Sequence, residues 1–249
     1  MSAETRAPIK WDQWHRYTFE GTRYPGWTGI GKSADDGAEG LIVWATRKAV
    51  SGVLDQLGAI PSMLENNARD EVVKLLASRS AWDRDKAKDR GTTIHDHADR
   101  IVRGLEPAGV SDEHRKAVAA ISEWWAGSGW SCRLSEAYVV NPTLGYGGTF
   151  DLLARDAEGR TVMADFKTGR MYPKYRLQLL AYASAEWVMP SEAKVSYPMP
   201  AVDRYVVLLV DDAMVTPMEV EPTERDWAAF RACIPLAEWK AEHSGRRAA

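Results

Sequence analysis

This chain of 249 residues has little cysteine, no long apolar run and no excess of positive charge. Its two cysteines, Cys132 and Cys233, are too few for a disulfide framework or for the four thiolates of a zinc or iron–sulfur site. No run of about 18 apolar residues occurs, so no membrane-spanning helix is expected. The first residues, MSAETRAPIKWDQW, lack the apolar core of a secretory signal. These absences predict a protein of the reducing cytoplasm.

The charge balance limits how the protein can bind nucleic acid. Lysine and arginine together number 32 and aspartate and glutamate 35, which gives a formal net charge of −3. The molecule is not a polycation, so any contact with a polyanion requires a local basic surface. The hydrophobic fraction of 45% is that of an ordinary globular protein. We expect one domain over residues 1–249.

The pattern of apolar residues divides the chain into a helical part and a sheet. Over residues 11–130 apolar residues recur at three- and four-residue steps, for instance around Val72 and Ile94, which predicts mainly helices. From Ser131 the pattern is typical of strands. We predict strands over 134–140, 147–155, 160–167, 204–210 and 214–220, a helix over 174–188 and a closing helix over 224–243. The fold class is therefore α/β: a mixed β-sheet over 131–220 and a closing helix over 221–243, behind a helical N-terminal portion.

A phosphate-binding pattern occurs near the start of the chain. Residues 26–33 read GWTGIGKS, which matches the P-loop G-x-x-x-x-G-K-[ST], and residues 204–212 read RYVVLLVDD, as a metal-binding strand would. A P-loop needs an apolar strand before it and a helix after it. The preceding residues read HRYTFEGTRYP, and the following ADDGAEG contains acids that repel a triphosphate. We interpret the first segment as a glycine-rich turn and the second as a buried strand ending in a turn; a P-loop NTPase that uses Lys32 is the alternative.

The most informative stretch reads GGTFDLLARDAEGRTVMADFKTG. A three-residue hairpin loop usually ends in a residue with positive φ, which glycine adopts most easily, and Gly159 fits that place. This loop pairs Asp156 with Arg160. Counting back along both strands sets Asp151 opposite Asp165.

The predicted hairpin has one apolar face and one charged face. Because side chains alternate along a strand, Asp165 and Lys167 share one face with Asp151. The core face collects Phe150, Leu152, Ala154, Val162, Ala164 and Phe166. Two neighbouring carboxylates repel each other unless a cation lies between them, and Mg²⁺ or Mn²⁺ suits oxygen ligands. The alternative is an exposed hairpin face with a surface salt bridge.

Four short motifs occur in one order around this hairpin. Residues 148–151 read GTFD (G-x-x-D), residues 165–169 read DFKTG (D-x-K-T-G) and residues 178–182 read QLLAY (Q-x-x-x-Y). Upstream, residues 91–95 read GTTIH (G-x-x-x-H). Together they resemble the RecB-type branch of the PD-(D/E)XK nuclease superfamily.

The resemblance extends more weakly toward the start of the chain. Residues 24–28 and 41–49 are similar to the start of phage-encoded members related to CRISPR-associated exonucleases. CRISPR-associated relatives and some RecB-type helicase-nucleases carry four cysteines for an iron–sulfur cluster, whereas this chain has two, so no such cluster is expected.

The resemblance implies roles for individual residues. Asp151 and Asp165 would be ligands of Mg²⁺ or Mn²⁺, with the Phe166 backbone carbonyl as a further ligand. His95 would be an additional metal ligand, and Lys167 the catalytic lysine. The implied fold is a restriction-endonuclease-like core.

Further candidates surround these residues. Gln178 and Tyr182 lie one helical turn apart and would contact DNA or brace the metal ligands. Glu136 is a candidate second-shell acid behind the metal ligands, and His97 is expected to be exposed. Candidate DNA contacts are Arg155, Arg170, Lys174 and Arg176.

The expected function follows from the resemblance. We expect a metal-dependent DNA nuclease that hydrolyses phosphodiester bonds, working as an exonuclease in phage recombination or DNA end processing. Its partners would be DNA and a single-strand annealing protein, and its location the cytoplasm of the host cell. A non-catalytic DNA-binding module on the same fold is the alternative.

Overall fold

The computed structural model describes residues 4–34 and 69–243, with scattered positions between 46 and 61. By its internal contacts the chain divides into two compact units, Met1–Ala34 with Ile94–Ala249, and Asp35–Thr93. Most of residues 41–49, which contribute to the weaker resemblance, lie outside the described residues. None of the described helices combines the length and apolar character needed to cross a membrane. A single domain over 1–249 stays a prediction.

The described chain begins with a small antiparallel sheet. Its strands, in spatial order, are β1 (Lys10–Trp11), β2 (Arg16–Phe19) and β3 (Thr22–Pro25). The prediction of a helical N-terminal portion from residue 11 is therefore wrong here. Glu20 and Gly21 both have positive φ, 48° and 80°, which is the two-residue turn that joins twisted antiparallel strands.

The remaining elements form a seven-stranded sheet and its helices. After the small sheet come α1 (Trp27–Ile30), a 3₁₀ turn (Gly31–Ala34), α2 (Arg69–Val102) and α3 (Arg115–Ser128). The strands are β4 (Ser131–Asn141), β5 (Tyr146–Arg155), β6 (Thr161–Thr168), β7 (Trp187–Met189), β8 (Tyr197–Pro198), β9 (Arg204–Val210) and β10 (Val215–Val220). The other helices are α4 (Pro173–Ala183) and α5 (Glu224–His243). The spatial order is β10-β9-β6-β5-β4-β7-β8, and among these strands only β6 and β9 pair in parallel. The predicted mixed sheet flanked by helices is confirmed.

The central hairpin has the register predicted from its loop. The N–H of Asp156 donates to the carbonyl of Arg160 at 3.0 Å, and Gly159 has a φ of 82°. Leu152 pairs with Ala164. A positive φ is strained for residues with a side chain, so the glycine determines the loop length and with it the register.

Both faces of the large sheet are buried, which corrects the prediction of one apolar face and one charged face. One face packs against α2 and α3 through Leu152, Ala154, Val162, Ala164 and Phe166. The other packs against α1, α4 and α5 and includes Leu153, Met163 and Phe150. Phe150 thus lies in the opposite core from the one predicted. The charged residues of the hairpin occupy only one end of a face that is otherwise apolar.

Helix α4 ends at Ala183, five residues before the predicted end. The Ser184 carbonyl accepts a hydrogen bond from the Asn141 side chain at 2.6 Å, and the N–H of Glu186 donates to the carbonyl of Val140 at 3.0 Å. These bonds direct the chain back to the sheet. The buried run Trp187–Met189 then pairs with β4 as strand β7.

Asp156 anchors the hairpin loop through two arginines, which predicts a pH-dependent stability. Its buried carboxylate accepts hydrogen bonds from Arg160 (2.8 Å) and Arg204 (2.6 Å). Burial works to raise the pKa of Asp156, but these hydrogen bonds outweigh it and lower the pKa to about 2. Since a depressed carboxylate pKa stabilises the fold above the unfolded pKa of about 3.9, this contribution is lost as the pH falls from about 4 toward 2.

We expect Asp156→Asn to lower the free energy of unfolding by about 2 kcal/mol at pH 7, and by progressively less below pH 4. Urea denaturation at several pH values measures this. Glu158→Gln is the matched control, because Glu158 pairs with the same Arg160 at 2.9 Å but its side chain is 65% exposed; it should change stability by less than about 0.5 kcal/mol. Equal effects of the two substitutions would contradict the anchoring role.

Candidate metal centre and active site

The two strands of the central hairpin separate beside Asp151. The β5–β6 ladder ends at the pair Leu152–Ala164. Beyond it, Oδ2 of Asp151 accepts the N–H of Phe166 at 2.8 Å. The Asp151 carboxylate is thus held in place by backbone, while the Phe166 side chain is buried in the core. The Phe166 carbonyl as a metal ligand stays a prediction.

Three donor groups gather at Asp151. His95 of α2 places its Nδ1 3.2 Å from Oδ2 of Asp151. Glu136 lies on β4 in the left-handed conformation, with a φ of 46°, in the part of the strand that pairs with β5. Ligand atoms of His95, Glu136 and Asp151 all lie within 4.8 Å of one another. One imidazole nitrogen and two carboxylates in this arrangement fit a divalent cation such as Mn²⁺ or Mg²⁺.

Asp165 and Lys167 form a second group beside the first. Asp165 is 0% exposed, and its Oδ2 forms an ion pair with Nζ of Lys167. Nε2 of Gln178 contacts Oδ1 of Asp165 and the hydroxyl oxygen of Tyr182, each at 3.1 Å. Gln178 thus contacts Asp165 directly and Tyr182 contacts Gln178, while a role of the two residues in bracing metal ligands or contacting DNA stays a prediction. Asp165 as a metal ligand stays a prediction, and the donor group around Asp151 contains Glu136, which the sequence suggested as a second-shell acid.

The charges in the donor group are strongly shifted. The charge of Asp151 raises the pKa of His95 to about 9, although burial opposes this. Burial and the charge of Asp151 raise the pKa of Glu136 to about 8. For Asp151 itself, burial would raise the pKa, but His95 and Lys167 outweigh it and lower the pKa to about 2. Because the pKa values of His95 and Glu136 are raised, a cation that binds here competes with protons for these two groups.

The lysine remains charged despite its burial. Burial works to lower the pKa of Lys167, but Asp165 and Asp151 outweigh this and raise it. Burial raises the pKa of Asp165 to about 6, with Asp151 adding to the shift and Lys167 opposing it. Lys167 is therefore an ammonium group with fixed partners and a low exposure of 16% for its side chain.

These groups line a cavity of about 320 Å³. His95, Glu136, Asp151, Lys167 and Gln178 all contribute to its wall. Other lining residues were not found by sequence reasoning: Trp11, His15, Tyr17, Thr28, Tyr138, Thr149 and Ser191. Several come from the N-terminal sheet, whose strand pattern was missed. The only sequence signal in β2 is the alternation of polar and aromatic residues in RYTF, which spans too few residues to identify a strand.

The glycine of the G-x-x-D motif makes room for the tyrosine of the Q-x-x-x-Y motif. A Cβ added at Gly148 would lie 2.5 Å from a ring carbon of Tyr182. Tyr182 is buried, so its ring cannot move out of the way. We expect Gly148→Ala to lower the free energy of unfolding by about 2 kcal/mol. It should also displace Gln178 from Asp165.

Urea denaturation and a cleavage assay measure these effects together. Gly127→Ala in α3 is the matched control, since an added Cβ there meets no atom within 4 Å. The control should leave stability unchanged or raise it by up to about 1 kcal/mol. A Gly148→Ala protein as stable as the control would show that Tyr182 does not need this space.

The four candidate DNA contacts have different environments. Arg176 bonds the Asp226 carboxylate at 3.0 and 3.1 Å and the Glu221 carbonyl at 2.8 Å, so it ties α4 to α5. Arg155 bonds the carbonyl of Gly159 in its own hairpin. Arg170 and Lys174 lie over the Tyr172 ring, 4.8 and 5.6 Å from its centre.

The structure also tests the prediction for His97 and the interpretation of the P-loop-like segment. His97 is 5% exposed, so the prediction that it is exposed is wrong. It lies three residues after Ile94 and four before Ile101, and both of these face the core.

In the P-loop-like segment, Trp27 and Ile30 are buried and α1 has only four residues. Residues 204–212 form a buried strand that ends in a turn closed by Asp211, as predicted.

The sequence matches no protein-family model, and no curated protein matches it. The class of site is therefore inferred from the residues and their geometry.

Proposed function

We propose that the protein is a divalent-metal-dependent deoxyribonuclease that hydrolyses phosphodiester bonds. The observation that carries the proposal is the convergence of His95, Glu136 and Asp151 beside the Lys167–Asp165 pair in one cavity. A cation held there would polarise a phosphoryl oxygen and lower the pKa of a bound water. The four sequence motifs that resemble those of RecB-type nucleases contain His95, Asp151, Asp165 and Lys167, whereas Glu136 lies outside them.

Lys167 has the main chemical role among the protein's own groups. Its ammonium faces the cavity and stays protonated because Asp165 and Asp151 raise its pKa. When water adds to phosphorus and the bond to the leaving sugar oxygen breaks, negative charge grows on the phosphoryl oxygens. An ammonium fixed in a poorly hydrated site stabilises that charge without reorganising.

Asp165, Gln178 and Tyr182 act as positioning residues. Asp165 pairs with the ammonium, Gln178 contacts Asp165, and the Tyr182 hydroxyl contacts Gln178. Each of these three side chains is at least partly buried, so the chain of contacts restricts the rotamers of Lys167. This restriction favours a single orientation of the ammonium toward the phosphate.

Cleavage of DNA with and without metal tests the proposal. End-labelled linear DNA and a covalently closed circle are incubated with Mn²⁺, with Mg²⁺ or with EDTA. Loss of the linear DNA alone, with metal only, supports the exonuclease mode that we propose, and the label gives the polarity. Nicking of the circle would support the nuclease function but show that the protein acts as an endonuclease. Absence of cleavage with either metal rejects the proposal and leaves a non-catalytic DNA-binding module.

A further inference from the structure

An exposed pair of tryptophans borders the cavity. Residues 11–16, here called the tryptophan loop, read WDQWHR and connect β1 to β2. Trp11 is 48% and Trp14 67% exposed. Large indole surfaces are rarely left in water at two nearby positions without a binding role.

The tryptophan loop is held in one shape. The Asp12 carboxylate accepts the N–H of Trp14 at 2.9 Å and that of Arg16 at 3.1 Å, and it pairs with the Arg16 side chain at 2.8 Å. The Trp11 ring stacks on His15 at 6.0 Å and lies 5.8 Å from the Tyr138 ring. The indoles are therefore displayed on a fixed scaffold, which lowers the entropy lost when a flat ligand binds.

The loop stands between two adjoining cavities. Trp11 lines the cavity that contains Asp151 and Lys167, while Trp14 lines a second one of about 470 Å³. His15 and Thr28 line both, so the two cavities adjoin at these residues. The charged residues of the second cavity are Arg16, Lys32 and Glu238, which sum to a net positive charge.

We propose that the tryptophan loop is the platform on which unpaired bases of a DNA strand stack while its backbone enters the cavity of Lys167. The inference rests on the proposed nuclease function. Indole faces stack on any base, and a net positive wall attracts the phosphates between them. A chain of nucleotides combines flat rings with anions, as the walls of these two adjoining cavities combine an indole with cationic side chains.

The platform requires unpaired bases. In a duplex the base faces are covered by their neighbours, so stacking on Trp14 would be confined to the last pair. A duplex is also too wide for cavities of a few hundred Å³. The substrate class is therefore single-stranded DNA or a single-stranded overhang.

Measuring DNA binding in EDTA, which prevents metal-dependent cleavage, tests the platform separately from catalysis. Fluorescence anisotropy follows a labelled oligothymidylate of about 16 nucleotides bound by wild type, Trp14→Ala and Trp14→Phe. We expect Trp14→Ala to weaken binding about tenfold and Trp14→Phe to restore most of it. Trp239→Ala is the matched control, because Trp239 is 55% exposed on α5 and lies outside both cavities; its binding should equal that of wild type.

A blunt duplex provides the second comparison. We expect it to bind wild type more weakly than the single strand and to be unaffected by Trp14→Ala. Three results would overturn the platform: wild type does not bind the oligonucleotide, or Trp14→Ala binds it as tightly as wild type does. The third is that wild type binds the duplex as tightly as the single strand and that Trp14→Ala weakens binding of both equally. The nuclease proposal can fail separately. If binding depends on Trp14 but wild type does not cleave DNA with either metal, the platform stands and the protein is not a nuclease.

Discussion

Replacing Lys167 with methionine is expected to slow metal-dependent cleavage of DNA by about 10²- to 10³-fold, the usual loss when one preorganised donor to a developing oxyanion is removed. Methionine keeps most of the aliphatic stem and removes only the charge. It also leaves Asp165, which is 0% exposed, without its ion pair, so the melting temperature should fall. Initial cleavage rates are therefore compared at a temperature at which circular dichroism shows both proteins to be folded.

Lys116→Met is the matched control for this substitution. Lys116 is an exposed lysine of α3 and lies outside the cavity. The control should cleave at the wild-type rate. If the folded Lys167→Met protein cleaves as fast as the control with either metal, Lys167 has no role in the proposed mechanism.

The second large effect concerns Asp151 and the binding of metal. A cation that binds only the folded state at about 100 times its Kd stabilises it by about 2.7 kcal/mol. For a protein of this size that corresponds to a rise in melting temperature of about 5 to 10 °C. We expect Mn²⁺ to produce such a rise in wild type and almost none in Asp151→Asn. The asparagine oxygen can still accept the N–H of Phe166, so the backbone should stay in place.

Asp112→Asn serves as the control, because the Asp112 side chain is 93% exposed and pairs only with surface Arg115 among the contacts described. It should keep the full thermal shift and the full cleavage rate. Differential scanning fluorimetry with and without EDTA gives the shift directly. An undiminished shift in Asp151→Asn would place the metal elsewhere, even if cleavage were lost.

The parts of the site that follow local rules could be predicted from the sequence. Gly159 determines the hairpin loop, and from it the register that brings Asp151 near Asp165 follows by counting. The helix that carries Gln178 is also a local feature, since Pro173 begins it. The position of His95 beside Asp151 depended on the resemblance, because no local rule relates residues 56 positions apart.

Other parts could not be predicted because they depend on tertiary contacts. The end of α4 is determined by bonds from Asn141 and to Val140, which lie about 45 residues earlier in the chain. The burial of His97 depends on which face of α2 the sheet covers. The N-terminal sheet has strands of two to four residues, too short for their periodicity to be distinguished from that of a helix.

The left-handed backbone at Glu136 has a consequence for anyone who engineers this protein. A φ of 46° costs a residue with a side chain about 1 to 3 kcal/mol, and a partly buried carboxyl group adds to that cost. Glycine at this position would relieve both, so a redesign that optimises thermostability alone would select Glu136→Gly. The resulting protein would be more robust and would lack one of the three donors that gather at Asp151. At this position a substitution that increases the stability of the fold would remove a candidate metal ligand.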